Sequence, residues 1–351
     1  MEILSLKQNE EQNDRWHKYL EKSCCEDVYF FPEYARTFTS IEKGTSHLFI
    51  YEKDGNRFIY PFRLRKIPQI EQFSEWFDIT SDYGYGGPVI SVANKTEVPN
   101  FIKDAVSSFD EYCIKQQIVS EFCRFHPLLK NAQYMSIYKP IFCNQTVWVD
   151  LTMPEEECWK QIRKAYRRHI RQSEKKHGIE IEISDNIDNI DVFYKLYTKT
   201  MQEVGASGYY FFSNDFFRYL FKYLTGHVVM FLAHYQRKII AASIFIYGKE
   251  FLHYHFGAMD REFSNINANK AIFYKAIKWG IERRLKKFHL GGGVGGANSL
   301  MHFKEGFSKF RADFHIAKRI HNHDIYQKLC IKTGVEAGKE PFFPAYRAIY
   351  R

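Results

Sequence analysis

Residues 228–246 have the sequence Val228-Val-Met-Phe-Leu-Ala-His-Tyr-Gln-Arg-Lys-Ile-Ile-Ala-Ala-Ser-Ile-Phe-Ile246. Two apolar runs flank the polar turn that includes Gln236-Arg-Lys238, a pattern typical of a β-hairpin. The same pattern occurs earlier in the chain, where His47-Leu-Phe-Ile-Tyr51 and Arg57-Phe-Ile-Tyr-Pro-Phe62 flank a Glu-Lys-Asp-Gly-Asn turn. Two copies of one hairpin predict an internal duplication.

The segments that follow each hairpin support this prediction. In the first copy they are the aromatic segment Asp82-Tyr-Gly-Tyr-Gly-Gly-Pro88, predicted as a strand, a helix over 98–116 and a strand over 118–125. In the second copy they are Leu252-His-Tyr-His-Phe-Gly257, a helix over 271–285 and a strand over 288–290. Both helices have apolar residues at helical spacing. The sequence therefore predicts an α/β (α+β) fold with a mixed sheet, built as a tandem duplication.

The length of 351 residues fits two domains. A short strand over 146–150 precedes Thr152 and Glu155, whose spacing predicts a capping box at the start of a helix. We therefore expect a first domain over 1–150 and a second over 151–323. The tail, 324–351, is too short for a further domain and is expected to pack back on the first.

Charge is distributed unevenly between these halves. Residues 1–150 carry 17 Lys and Arg against 21 Asp and Glu, a net charge of −4, and residues 151–351 carry 33 against 20, a net charge of +13. The basic half predicts a phosphate-bearing partner. A nucleotide-linked or lipid-linked precursor, a tRNA and the anionic surface of the inner membrane all fit this chemistry, and DNA is not an expected partner. The alternative is that the excess charge serves solubility.

The segment 160–176 concentrates this charge, with eight Lys and Arg against one acid, Glu174. Apolar residues recur at spacings of three and four, which predicts a helix with one face on a core: Trp159, Ile162, Tyr166 and Ile170. The opposite face presents Arg168 and Arg171, whose planar guanidinium groups suit phosphate. The alternative is an amphipathic helix whose charges face only water.

A glycine-rich segment, His289-Leu-Gly-Gly-Gly-Val-Gly-Gly-Ala-Asn298, follows the last predicted strand. Glycines at Gly291, Gly292 and Gly293 let backbone amides approach a ligand closely. Lys304, after Phe303, is a candidate to stabilise negative charge that develops during a reaction. The alternatives are a tight connection for the glycines and an ordinary surface position for the lysine.

Several classes of protein are disfavoured by the sequence. The most apolar run, 239–247, is far shorter than the roughly 20 residues of a membrane span, and the first residues lack the pattern of a secretory signal. Seven cysteines without a Cys-x-x-Cys pair indicate reduced thiols, so we expect a cytoplasmic protein.

His253 and His255 lack further ligands at metal-site spacing. We predict neither a metal nor a tightly bound cofactor.

Six sequence features occur together and in order: Asp82 to Pro88, Arg124-Phe-His-Pro127, Val149-Asp-Leu151 with Trp159, Arg168-His-Ile-Arg171 with Lys175 and Gly178, Leu290-Gly-Gly-Gly293 and Phe303-Lys-Glu-Gly-Phe307. Over residues 30–320 this set resembles the FemAB-like branch of the GNAT superfamily. The resemblance implies two GNAT-like domains that use aminoacyl-tRNA to extend the peptide of peptidoglycan precursors. It also covers relatives encoded in envelope-polysaccharide loci.

The resemblance also implies roles for individual residues. The Phe-Lys pair of the family falls on Phe303 and Lys304, the basic helix on Arg168 and Arg171, and the tyrosine-rich strand on Tyr254. Tyr83 and Tyr85 of the first motif are expected to bind substrate. For the general base, four residues remain open as candidates, as does proton transfer through the substrate itself: Asp82, His255, Asp260 and Glu305.

Two departures from related proteins bear on the acyl donor. The long helical hairpin of some FemA-type members is absent, and so is the glycine-containing CoA loop of ordinary GNAT enzymes, since Arg261-Glu-Phe-Ser-Asn-Ile-Asn-Ala-Asn269 has no glycine. The leading hypothesis is aminoacyl-tRNA-dependent transfer to an amine of an envelope precursor. The alternatives are an acyl-CoA-dependent N-acetyltransferase that acts on an amino sugar, and a non-catalytic module that binds RNA or a nucleotide sugar.

Overall fold

The computed structural model describes residues 1–6, 10–67, 71–93, 98–293 and 299–350. The chain divides into two units, unit 1 with Met1–Cys143 and Asp313–Arg351, and unit 2 with Asn144–Ala312. The sequence-based boundaries at 150 and 323 lie later in the chain than these. They differ because the two strands that link the units are long, and each crosses a boundary within its own length.

Unit 1 begins with these elements: β1 (Glu2–Ser5), α1 (Glu10–Lys22), α2 (Pro32–Phe38), β2 (Thr45–Lys53), β3 (Asn56–Lys66), β4 (Phe77–Thr80), β5 (Val89–Ser91), α3 (Val98–Lys115) and β6 (Ile118–Arg124). The chain then enters unit 2 within β7 (Ile141–Asp150). The predicted first hairpin is β2–β3, in register from Thr45↔Leu64 to Lys53↔Asn56.

Unit 2 continues with these elements: α4 (Glu155–Gln161), α5 (Lys164–Lys175), β8 (Glu180–Ser184), α6 (Ile190–Glu203), α7 (Asn214–Tyr223), β9 (Val228–Tyr235), β10 (Lys238–Tyr247), β11 (Phe251–Met259), α8 (Ala268–Glu282), β12 (Lys287–Gly291) and α9 (Ser299–Glu305). The chain returns to unit 1 within β13 (Phe310–Ile320) and ends with α10 (His323–Lys332) and a 3₁₀ helix, Ala345–Tyr350.

The two units have the same strand order. Unit 1 runs β1-β2-β3-β4-β6-β13 and unit 2 runs β8-β9-β10-β11-β12-β7. In each, the pairing is antiparallel except between the fourth and fifth strands, β4–β6 and β11–β12, which are parallel. A helix, α3 or α8, connects the parallel strands, as a parallel connection requires. The predicted tandem duplication is confirmed.

In each unit, the last strand of the sheet pairs with a strand that is distant in the sequence. β7 follows β6 along the chain but pairs with β12, and β13 follows α9 but pairs with β6. Unit 1 is therefore made of two separate stretches of the chain, whereas unit 2 is continuous.

Each unit has its own apolar core. In unit 1, Phe49, Tyr60 and Phe109 are fully buried between the sheet and α3, and Tyr326 and Tyr346 of the tail join Val119 in a smaller cluster. In unit 2, Phe231, Phe245 and Phe288 of the sheet pack with Phe273 and Trp279 of α8. None of the described helices combines the length and the apolar character needed to cross a membrane.

Two local predictions were wrong. Asp82 to Pro88 is a loop and not a strand, because Gly84 and Gly87 adopt positive φ angles of 93° and 82°, and the strand of this copy is β4, earlier in the chain. The capping box is not formed either, since Pro154 occupies the N-cap of α4. The Thr152 N–H and hydroxyl donate instead to Asp150 Oδ1, at 2.9 and 2.6 Å.

The basic segment forms two helices where one was predicted. Ile162 and Arg163 adopt extended backbone conformations between α4 and α5, with ψ angles of 133° and 135°. Ile162 is nevertheless buried in the unit 2 core together with Ile170 of α5, as the apolar spacing predicts. The break turns the backbone N–H of Arg163 toward Gly306 O, to which it donates at 2.8 Å.

Candidate active site

The parallel strands of unit 2 separate partway along their length. β11 and β12 pair over Phe251↔Lys287, Leu252↔Phe288 and His253↔His289. Beyond that point β12 ends at Gly291, while β11 continues to Met259 in register with β10. His253 Nδ1 and His289 Nδ1 lie 3.3 Å apart at the last pair. A β-bulge follows at once, because Phe245 pairs with Tyr254 and Ile244 pairs with Phe256, so His255 is the extra residue.

Lys304 of α9 lies where the two strands separate. Its Nζ donates a hydrogen bond of 2.7 Å to Gly292 O, one residue past the end of β12. The same Nζ lies 5.6 Å from the ring centre of Tyr254, which follows the last paired residue of β11. One ammonium group therefore contacts both strands just beyond their last shared pair.

Among the residues that the structure describes, Lys304 forms no ion pair with a carboxylate. The residue is 5% exposed, and among the described residues no carboxylate lies within 4.0 Å of its Nζ. Burial lowers the pKa of Lys304 to about 7, because desolvation disfavours the ammonium form. An anion that reached this point would restore the charged form and would be stabilised by it.

The glycines near Lys304 allow the backbone of this segment to lie close to Lys304 and to β7. Gly291 has a φ angle of 78°, which is strained for other residues. A Cβ on Gly292 would lie 3.1 Å from Gln145 O, and Gly293 O accepts a hydrogen bond of 3.4 Å from Asn144 Nδ2. The predicted glycine loop thus packs against β7 where it is described. Residues 294–298 lie outside the described residues.

Phe303 anchors α9 to the core and to the basic helix α5. Its ring centre lies 5.2 Å from that of Phe273 and 6.0 Å from that of Tyr166. Tyr166 also packs so closely against Gly306 that a Cβ there would overlap its ring. Phe303 therefore positions α9, and Gly306 is required for the contact between α9 and α5.

The exposed face of α5 is cationic, as predicted. Arg168 is exposed, and Arg171 lies over the Trp159 ring at 5.3 Å. Lys270 of α8 lies 4.8 Å from the Tyr166 ring centre, and burial lowers the pKa of Lys270. Burial and the neighbouring charges of Lys270 and Arg168 also lower the pKa of His169. Like charges are thus gathered here, an arrangement that favours a bound anion.

Lys270 and His169 were not singled out from the sequence. Asn267 is the N-cap residue of α8 and has a φ angle of 63°. Lys270 lies in the first turn of this helix, and its Nζ donates a hydrogen bond to the Asn267 side chain. A lysine in the first turn of a helix is unusual, because cations there oppose the helix dipole. The position of Lys270 in the first turn of a helix is the feature by which the sequence could have indicated an anion site.

Several candidate bases of unit 2 are held in other interactions. Asp260 accepts hydrogen bonds from Lys199 and Lys238, at 2.8 and 3.0 Å, and the bond from Lys199 is the main cause that lowers its pKa to about 2. Glu305 forms an ion pair with Arg311 at 3.0 Å. Burial and His253 lower the pKa of His255 to about 3, which keeps its imidazole neutral. Burial raises the pKa of Tyr254 to about 12.

Three predicted site residues belong to unit 1. Asp82 accepts a hydrogen bond of 2.6 Å from Arg63 Nε, and burial raises the pKa of Asp82 although Arg63 opposes it. Tyr83 stacks on Phe38 with ring centres 5.5 Å apart. Tyr85 packs edge-on against Tyr29 and Phe314. The other predicted site residues belong to unit 2, where Lys304 contacts Gly292 and Tyr254.

Comparisons with known proteins agree with this architecture. Residues 160–305 match the family model described as an acetyltransferase (GNAT) domain. Among solved structures, FemX superposes with a TM-score of 0.71 at 12% identity, covering 93% of this chain and 99% of FemX. No curated protein sequence matches the chain.

Two further structures share the fold. The C-terminal domain of a protein assigned as a lysylphosphatidylglycerol synthetase from Agrobacterium fabrum has a TM-score of 0.52 at 14% identity, covering 88% of this chain and 93% of its own. A tandem GNAT protein of the clavulanic acid pathway has a TM-score of 0.50 at 8% identity, covering 90% and 98%. The fold is that of tandem GNAT domains, and this confirms the resemblance to the FemAB-like branch at the level of the fold.

Proposed function

We propose that the chain is an acyltransferase that moves an aminoacyl group from aminoacyl-tRNA to an amine of a cell-envelope precursor. The observation that carries this proposal is the buried ammonium of Lys304, which has no carboxylate partner among the described residues and contacts both strands where β11 and β12 separate. The GNAT match over 160–305 supports acyl transfer as the type of reaction.

The chemistry suits a lysine in this environment. The acceptor amine attacks the carbonyl carbon of the aminoacyl ester, and an oxyanion forms on the carbonyl oxygen. The new C–N bond remains when the ester C–O bond breaks, and the proton lost by the amine is matched by one gained by the leaving ribose hydroxyl. A protonated Lys304 stabilises the oxyanion strongly because the surrounding dielectric is low.

The cationic surface of α5 and the first turn of α8 supports a phosphate-bearing substrate. Arg168, His169 and Lys270 bring cationic and ionisable groups together without a carboxylate that neutralises them in the described contacts. Such a surface attracts a polyanion and makes its binding dependent on salt. A tRNA and a nucleotide-linked or lipid-linked precursor both provide that charge.

The segment before α8 supports tRNA over CoA as the donor. Residues Arg261–Ile266 form a 3₁₀ helix without glycine, and its N-cap residue, Asp260, accepts from Glu262 N at 3.3 Å. The carboxylate occupies a backbone N–H that a pyrophosphate would otherwise use, and its negative charge would repel a pyrophosphate. Acyl-CoA-dependent acetylation of an amino sugar remains the second candidate, because the matching family model is that of an acetyltransferase.

Parallel incorporation assays test the proposal. The purified chain would be given labelled aminoacyl-tRNA or labelled acetyl-CoA, each with a peptidoglycan precursor peptide and with an amino sugar as acceptors. We expect label from aminoacyl-tRNA to reach the precursor amine. Incorporation from acetyl-CoA alone would identify the second candidate, and tight RNA binding without incorporation from either donor would identify a non-catalytic module.

A further inference from the structure

An exposed apolar surface lies in unit 1, apart from the residues described above. It consists of Tyr134, Ile137, Ile141 and Phe142, which are 52%, 44%, 47% and 56% exposed. Four large apolar side chains are exposed within nine residues of sequence, unlike the isolated apolar residues that are normal on protein surfaces. We call these four residues the 134–142 surface.

The local backbone explains why these side chains point outward. Two 3₁₀ helices, Asn131–Tyr134 and Ser136–Tyr138, have three residues per turn. Met135, which lies between the two helices, and Tyr138 are 0% and 2% exposed and pack on the core, while Tyr134 and Ile137 are exposed. The inner side alone provides the core contacts, so the apolar character of the outer side is not needed for folding.

The stretch of sequence that contains this surface carries basic residues and no acidic ones. Between Glu121 and Asp150 the sequence contains no carboxylate, although it contains Arg124, Lys130 and Lys139. Lys130 and Lys139 are exposed and flank the two 3₁₀ helices. Phe142 is itself in edge contact with His315, at 5.7 Å between ring centres. The surface thus combines apolar tips with neighbouring cations and lacks acids along this stretch of sequence.

We propose that the 134–142 surface docks the protein on an anionic phospholipid membrane. An anionic bilayer offers both required chemistries side by side, with phosphate groups for Lys130 and Lys139 and acyl chains for Ile137 and Phe142. Tyrosine suits the boundary between the two, since its ring is apolar and its hydroxyl is polar. A protein partner would need an apolar patch with an acidic rim, whereas a membrane needs no such dedicated surface.

Vesicle sedimentation with the full chain tests this proposal. We expect the protein to pellet with vesicles of phosphatidylglycerol and phosphatidylcholine and to remain in solution with phosphatidylcholine alone. The double variant Ile137→Ser/Phe142→Ser and the double variant Lys130→Gln/Lys139→Gln should each bind the anionic vesicles about tenfold more weakly. Raising the salt concentration should weaken binding of the unmodified protein.

Matched controls separate this surface from general hydrophobicity. Ile114 and Ile331 are 68% and 78% exposed elsewhere on unit 1, and replacing either with Ser should leave vesicle binding unchanged. All variants should keep the unmodified thermal unfolding midpoint, because the altered side chains lie at the surface. Absence of vesicle binding, equal loss in the control variants, or a self-association that Phe142→Ser abolishes would each overturn the proposal.

Discussion

Unit 1 and unit 2 share a strand order but differ where their parallel strands end. In unit 1, the contact between the two strands continues past the last pair, Thr80↔Phe122. Ser81 N donates to Phe122 O at 3.0 Å, Arg124 N donates to Ser81 Oγ at 3.0 Å, and Gly86 forms an isolated parallel bridge with Phe125. In unit 2, β12 ends two residues after its last pair with β11, and Lys304 contacts both strands there.

The same contrast appears in the buried charges. In unit 1, Asp78 is paired with Arg65 and Arg347, and Glu121 is paired with Arg319 and His321. In unit 2, Lys304 is buried without such a partner among the described residues. A buried charge that is paired holds a fold together, whereas an unpaired one costs stability and is available to a ligand. The paired charges of Asp78 and Glu121 thus have a structural role in unit 1, and the unpaired Lys304 is a candidate reactive charge in unit 2.

The largest expected effect concerns the paired charges. Replacing Asp78 with Asn leaves Arg65 and Arg347 without their common carboxylate and should lower the free energy of unfolding by about 3–5 kcal/mol. Chemical denaturation measures this change. As a matched control, Asp104→Asn, which removes an exposed partner of Lys53, should change it by less than about 1 kcal/mol.

The pH dependence of the free energy of unfolding gives a second test of the Asp78 ion pairs. Burial opposes ionisation of Asp78, but the two arginines outweigh it and hold its pKa below the usual value. Its contribution to stability is therefore present above the ordinary pKa of an aspartate and is lost as the pH falls through the lowered pKa. If Asp78→Asn kept full stability at neutral pH, the structural role of the paired charges in unit 1 would be wrong.

Replacing Lys304 with Met tests the unpaired charge through activity. Under the proposed function, loss of the ammonium should lower kcat by about 10²–10³-fold, as loss of one oxyanion-stabilising donor does. Steady-state kinetics with the donor identified by the incorporation assays measures the effect. Lys332→Met, at an exposed position of α10, is the control and should keep full turnover. Full turnover by Lys304→Met would show that the lysine is not catalytic.

The same substitution should stabilise the fold, opposite in sign to Asp78→Asn. Removing a buried, unpaired charge is expected to raise the free energy of unfolding at pH 7 by about 1–4 kcal/mol. Since the pKa of Lys304 is lowered to about 7 in the folded chain, the unfolded chain binds an extra proton between about pH 7 and 10. The unmodified protein therefore gains stability over that range, and its difference from Lys304→Met shrinks. A constant difference would contradict the lowered pKa.

The smallest expected effect concerns the cationic surface of unit 2. The double variant Arg168→Ala/Arg171→Ala should weaken tRNA or precursor binding about tenfold and reduce its dependence on salt. Titration at several salt concentrations measures both. A control that removes two exposed cations of unit 1, Lys328→Ala/Lys332→Ala, should leave affinity unchanged. Equal affinity for all three proteins would rule out phosphate recognition by α5.

The duplication was predictable because hairpins and amphipathic helices leave local patterns. β2–β3, β9–β10, α3 and α8 lie close to their predicted positions. The partners of β7 and β13 were not predictable. Each strand pairs with a strand far along the chain, and its own sequence does not indicate which one. The loop at Asp82 to Pro88 was mistaken for a strand because its tyrosines favour strands, while its glycines set the backbone.

The site was predictable in part for a related reason. Lys304 was singled out beside Phe303 and the glycines, and the structure places these residues together. The depth of its burial and its lowered pKa could not be predicted, because both depend on how α9 packs against β11 and β12. The ion pairs of Asp260 could not be predicted either, because Lys199 and Lys238 are distant in the sequence. The ion pair of Glu305 with Arg311 depends on how the chain folds locally after α9.

The return of the chain to unit 1 through β13 affects how the protein is made. A ribosome delivers β1 to β6 first, but the strand that covers β6 is synthesised only after all of unit 2. Until then β6 has an open edge on that side, which invites pairing with other chains. Unit 2 has all its strands as soon as β12 emerges, so translation order favours its completion before the half that precedes it.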